Sequence, residues 1–212
     1  MPTQPQDNVA TTLRMVEAEL AVLPRGLREH VDRVRATAAE LADAWRLTTE
    51  ERAAVDLAAA AHDLARHLPP ESLLAEAKRL RISASTAERH APILLHGPVA
   101  AQRLLHELGV TAPDVVEAVR YHTTGKPGMD RVAQAVFLAD KVEPWKLQRR
   151  AELLRVHALA FRDPNHAIAA FLTEETAALL KRGALIHPLS METRTHYLVA
   201  SGQPLPPHPG AY

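Results

Sequence analysis

The chain has 212 residues, 47% of them hydrophobic and 24% charged, which fits one globular domain with short appendages. Its 25 basic and 25 acidic residues cancel, which excludes a broad nucleic-acid-binding surface but leaves room for a small basic pocket suited to phosphates. There is no cysteine, hence no disulfide framework and no thiolate metal site, and no stretch reaches the roughly 18 apolar residues of a membrane span.

Alanine and leucine dominate, β-branched runs are short, and apolar residues recur at spacings of three and four, a pattern that predicts an all-α fold. Residues 1–10 are expected to be disordered. Met1 to Asn8 carry no apolar leader, which leads to the expectation of a cytoplasmic protein with no membrane partner. A helix is predicted over 27–45, with Leu27, Val31, Val34, Ala38 and Leu41 as its apolar stripe. Thr48 and Glu51 form a capping box that opens a helix to about His67, stopped before Pro69 and Pro70. A helix over 71–80 follows, and 81–92 is expected to be a loop. Pro98 suits the first turn of a helix ended by Gly109. Pro113 starts another, ending near His122. Residues 123–128 form a turn-rich loop, 129–143 an apolar helix ended by Pro144. Helices over 147–161 and 164–182, the latter stopped by Gly183, and a short one from Ser190 complete the domain, 11–200. Residues 201–212 read as a proline-rich flexible tail.

Twelve histidines in a chain that is only 4% aromatic need an account. His62 and Asp63 are adjacent within an alanine-rich helix, where an ionised carboxylate is costly unless something positive neutralises it. A lone His-Asp pair is far more often a solvated helix face. The rest of the chain shifts that balance. His30 is in line with Val34, Ala38 and Leu41, and so faces the core. Asp140 is in line with Ala133, Val136 and Phe137, and a carboxylate on an apolar stripe is hard to explain without a cation. His96 and His122 stand at helix ends, common homes for ligands. Imidazole and carboxylate donors without thiolate suit iron, manganese, cobalt or zinc. Six such ligands can hold two cations if one carboxylate bridges, an arrangement that clamps both oxygens of a phosphoryl transfer. Thr123, Thr124, Gly125 and Lys126, just past His122, offer hydroxyls, backbone amides and an ammonium to phosphate, and Arg66 lies one turn beyond Asp63. His67, His90, His106, His157, His166, His196 and His208 read as surface residues, and His187 is left open.

The order His … His-Asp … His … His … Asp resembles the HD-domain phosphohydrolases. The strings around Ala61-His62-Asp63-Leu64-Ala65, Leu95-His96-Gly97-Pro98, His122-Thr123-Thr124-Gly125-Lys126-Pro127-Gly128-Met129, Ala139-Asp140-Lys141-Val142-Glu143-Pro144 and Ile186-His187-Pro188 resemble its symmetrical bis(5′-nucleosyl)-tetraphosphatase branch. That resemblance implies a helical HD bundle with a dinuclear centre between helices, iron being the first choice of metal. By analogy His30, His62, Asp63 and Asp140 hold one ion, Asp63 bridges, and His96 and His122 hold the other. Asp63 and Arg66 are the implied catalytic pair. The implied reaction cuts diadenosine tetraphosphate into two ADP. Two positions depart from the family: Arg66 stands where lysine is usual, and Trp145-Lys146 where Gly-Arg is usual. The alternatives are an HD hydrolase of a nucleoside monophosphate or guanosine alarmone, and a non-catalytic nucleotide sensor that keeps the metal. The expected partner is the nucleotide alone, with a homodimer left open.

Overall fold

The computed structural model describes residues 5–204, with side chains from residue 11, and is entirely helical over them. Of the expected disordered start and flexible tail, residues 1–4 and 205–212 lie outside the described residues, whereas residues 5–10 form the beginning of α1. α1 (Pro5–Ala21) lies against α3 (Thr49–Ala61). α2 (Arg25–Ala44) follows, with Val31, Val34, Ala38 and Leu41 buried as its stripe requires. Thr48 caps α3, its side chain accepting from the Glu51 amide while Glu51 accepts from the Thr48 amide. Ala58 to Ala61 are fully buried, small enough for α2, α7 and α8 to approach closely.

The chain then turns through α4 (Pro70–Arg79) and α5 (Thr86–His90). A short 3-10 helix (Pro92–Leu95) leads into α6 (His96–His106), α7 (Pro113–Tyr121) and α8 (Arg131–Val142). α8 is the axis of the molecule. Every residue from Val132 to Val142 is buried, and the helix packs against α2, α3, α7, α10 and α11. Past it come α9 (Pro144–Arg149), α10 (Leu153–Ala160), α11 (Pro164–Lys181) and α12 (Pro188–Ala200), the last two forming an antiparallel hairpin. No helix among the described residues is long and apolar enough to cross a membrane.

Three expectations need correction. The helix expected to reach His67 stops at Ala61; residues 62–67 continue as turns closed by three-residue hydrogen bonds, Leu64 to Ala61 and Arg66 to Asp63. The loop expected over 81–92 contains α5, because Ser85 and Glu88 form a second capping box. Pro144 does not only end a helix. Glu143 caps the next one, with Pro144 at its first position, and Arg150 (φ −134°, ψ 80°) breaks what was expected as one helix into α9 and α10.

Candidate metal centre

Three of the six expected ligands occupy the same local position. His62 is the C-cap of α3, His96 of the 3-10 helix and His122 of α7. A helix end leaves its last carbonyls without intrahelical partners. Each of these rings donates Nδ1–H to the carbonyl three residues back: His62 to Ala59 (2.7 Å), His122 to Val119 (2.7 Å) and His96 to Ile93. The bond fixes the tautomer inferred for the neutral ring, so that each Nε2 presents a lone pair toward the centre. His30 comes from the middle of α2. Its Nδ1 lies 3.6 Å from Glu143 Oε1, and Glu143 is held in turn by Arg33 Nε at 2.7 Å.

The four histidines surround Asp63. Its Oδ2 faces His30 Nε2 and His62 Nε2, both at 3.5 Å; its Oδ1 faces His96 Nε2 at 3.0 Å and His122 Nε2 at 3.5 Å. Asp140, near the end of α8, adds Oδ1 at 3.2 Å from His30 Nε2. Two groups of three, His30–His62–Asp140 and His62–Asp63–His122, have their ligand atoms within 4.8 Å of one another. All six residues predicted as ligands are therefore together, from five separate helical segments.

A metal ion fits these residues. His62 Nε2 and both oxygens of Asp63 are buried without a hydrogen-bond partner, an arrangement that is costly unless a cation satisfies them. His96 Nε2 and His122 Nε2 face each other at 2.8 Å with both Nδ1 atoms already donating, so two lone pairs converge where a cation would relieve them. Burial, above all other effects, pushes His122 down to about 3 and lowers His62 as well, which keeps both rings neutral and able to ligate. Burial pushes the Asp63 carboxyl up, but the surrounding imidazoles outweigh it and hold it well below the usual range.

Two glycines of the recognised strings have steric roles. A Cβ on Gly97 would lie 3.0 Å from the carbonyls of Val119 and Arg120 and 3.1 Å from the His122 ring. Its absence lets α6 press onto the end of α7 and brings His96 beside His122. Gly125 has φ +67°, and a Cβ there would come within 2.6 Å of Thr193 on α12.

A cleft of about 600 Å³ opens beside the centre. Arg66, Lys141, Lys146 and Arg150 line it, Arg150 paired with Glu175, together with apolar side chains, Leu153, Phe171, Leu179 and Leu185 among them. Arg66 Nε lies 3.5 Å from Asp63 Oδ2. Lys141 and Lys146 each put Nζ 2.6 Å from an oxygen of Asp140. Burial pushes the Asp140 carboxyl up, but these two ammonium groups outweigh it, and it stays well below its ordinary value.

Of the expected substrate contacts, Arg66, Thr123 and Thr124 line this cleft. Thr123 Oγ1 lies 3.1 Å from His122 Nε2, and the Thr124 hydroxyl donates to the Gly125 carbonyl. Gly125 and Lys126 do not line it. Lys126 turns back to Glu117 (2.5 Å) and over the Tyr121 ring, because the left-handed turn at Gly125 redirects the loop. Lys141, Lys146 and Arg150 were not expected. Lys146 is on α9 and Arg150 is its C-cap, so the signal depended on recognising α9 as a helix. His90, expected as a surface residue, lies on the cleft wall.

Residues 27–145 match the HD domain family. The chain is 32% identical over 176 residues to a symmetrical bis(5′-nucleosyl)-tetraphosphatase of Bacillus subtilis, covering 81% of this chain and 91% of that protein. It is 31% identical to one from Halalkalibacterium halodurans, covering 81% and 88%. The crystal structure of a predicted HD superfamily hydrolase involved in NAD metabolism from Clostridium acetobutylicum superposes with a TM-score of 0.79 at 22% identity, over 93% of this chain and 99% of that one. With the match spanning more than half of the chain and the His-Asp pair and flanking histidines gathered in one cluster, this chain belongs to the HD domain family.

Proposed function

We propose that the protein is a metal-dependent phosphohydrolase that cuts a dinucleoside tetraphosphate symmetrically, diadenosine tetraphosphate giving two ADP, and that it works in the cytoplasm. The observation that carries this reading is a buried His/Asp cluster opening onto a cleft lined by four basic side chains and by apolar ones. The names of the Bacillus and Halalkalibacterium relatives support the choice of substrate.

His30, His62 and Asp140 would hold one ion and His96 and His122 a second, with Asp63 shared between the two. Asp63 turns one oxygen to each pair of histidines, which supports the bridge. Iron is the first choice, with manganese, cobalt and zinc also suited to these donors. The bound ions supply Lewis acidity toward phosphate oxygens and lower the pKa of water. The chain's own groups do the rest. Arg66, Lys141 and Lys146 grip the polyphosphate, and Thr123 offers its hydroxyl beside His122. Hydrolysis forms one P–O bond from water and breaks the central bridging bond. The electron pair stays on the departing nucleoside diphosphate, where Arg66 offsets the growing negative charge. Arginine keeps the charge of the lysine more usual at this position and can fork onto phosphate.

A product assay on diadenosine tetraphosphate, nucleoside monophosphates and guanosine alarmones tests this. Two ADP as the main product is expected; turnover only of another nucleotide, or none, refutes it. Purified protein should carry about two transition-metal ions, the number two carboxylate-bridged sites require. Asp63→Ala should lose most of both, and full occupancy in that variant, read by elemental analysis, would remove the bridge.

A further inference from the structure

A symmetrical substrate has two nucleosides, one on each side of the bond that breaks. The cleft beside the cluster has room for one of them. α9 explains where the other goes. Lys146 and Arg150, four residues apart, face the cleft. Trp145 and Arg149, also four apart and rotated by about 100° from them, are not among the residues lining the cleft. The Arg149 guanidinium lies 3.5 Å from the Trp145 ring centre and that of Arg33 5.8 Å from it. Trp145 is 43% exposed, one of eleven large apolar side chains open to solvent among the described residues. Arg33 also donates to Glu143, which faces His30, so this outer face adjoins the His30 edge of the cluster. His30 is the most exposed of the four cluster histidines. Arg149 makes no ion pair with any described residue and lies over the Trp145 ring.

We propose that Trp145 and Arg149, backed by Arg33, form the subsite for the second nucleoside and its adjoining phosphate, the indole stacking on the base and the guanidinium meeting the phosphate. α9 is then a ridge, with one nucleoside diphosphate half on each side and the bond to be cut above Asp140 and His30. An exposed indole is a sequence-tolerant platform because every base has a π-face; the Arg149 guanidinium that lies over this ring would swing off it to meet the phosphate, whose geometry it matches. The inference rests on the proposed substrate.

The test uses the metal-loaded protein with Trp45→Phe, so that Trp145 is the remaining tryptophan of the two in the chain. Trp45 is remote from the site, its Nε1 donating to the Ala160 carbonyl. The probe is a dinucleoside tetraphosphate with a methylene at its central bridge, which binds without being cut. It is expected to quench Trp145 emission, whereas ADP, bound in the cleft as measured by its inhibition of hydrolysis, leaves the emission largely unchanged. Trp145→Gly should raise KM for the tetraphosphate about tenfold, within the range of one base–aromatic stack, without weakening inhibition by ADP. Trp145→Phe should recover most of the loss. Unchanged emission with the bound analogue overturns the proposal, as does an equal loss of ADP and tetraphosphate affinity in Trp145→Gly. If the wild type cuts no dinucleoside tetraphosphate, the proposed reaction fails instead, and analogue binding still decides the subsite.

Discussion

Asp63 and Arg66 share one turn but differ in environment. Asp63 is 1% exposed and touches four imidazoles, while about half of the Arg66 side chain is open to solvent. Removing Arg66 should therefore leave the cluster intact. Arg66→Ala is expected to keep its metal and lower turnover about a hundredfold, the scale for one preorganised donor. Arg66→Lys should retain substantial turnover because the charge stays. Kinetics and metal content measured on the same three preparations decide this. Equal rates remove Arg66 from the reaction, and metal loss in the alanine variant assigns it to the scaffold. The ligand histidines follow the same local logic. Three of them are useful because they end a helix: the carbonyl that would otherwise lack a partner fixes the ring.

At the scale of elements, the cleft walls come from α5 with the 3-10 helix on one side and α11 with α12 on the other. Their side chains meet at Glu88 and His187. His187 caps α12 by accepting from the Leu189 amide at Nδ1, and its Nε2 reaches Ser85 Oγ at 3.4 Å and Glu88 Oε1 at 3.7 Å. Glu88 closes the α5 capping box with its other oxygen. His187, undecided from sequence, thus joins two segments 102 residues apart. Burial pushes the Glu88 carboxyl up, but the His187 ring and the Ser85 groups outweigh it and hold it down to about 2. A depressed carboxylate stabilises the fold above its unfolded value, here 4.5, and loses that contribution as pH falls through about 2. Glu88→Gln keeps the cap but not the charge. It should melt below wild type at neutral pH, with the gap narrowing as pH falls from 4.5 toward 2. Thermal melts across that range check it; a gap constant with pH would mean that the charge contributes nothing.

For the whole molecule, the centre is where α2, α8 and the ends of α3, α7 and the 3-10 helix converge, so metal and fold stability are linked. An ion present at 100 times its Kd stabilises the folded state by about 2.7 kcal/mol, and for a chain of this size each kcal/mol moves Tm by about 2–4 °C. Chelation should therefore lower Tm by at least about 5 °C, and returning the metal should restore it. Calorimetry showing the same Tm for stripped and loaded protein would mean that the native state gains nothing from the ion.

Much of this was legible in the sequence because it depends on local rules. Helical periodicity placed α2, α6, α7, α8 and α11 to within a few residues, since a buried stripe repeats every 3.6 residues wherever it packs. The inward register of His30 and Asp140 followed from the same stripe, and the ordered strings around His62, His96 and His122 pointed to the family. What a single segment does not encode is what another segment leaves open. The break at His62 arises because its ring takes the Ala59 carbonyl, and Lys126 is drawn away from the cleft by Glu117 and Tyr121. Lys146 reaches Asp140 only because α9 folds back at Glu143. Composition, periodicity and motif order determined the helical class and the six candidate ligands. The tertiary structure decided which oxygen of Asp63 each histidine faces and which cations line the cleft, because those depend on distances between helices that no local propensity sets.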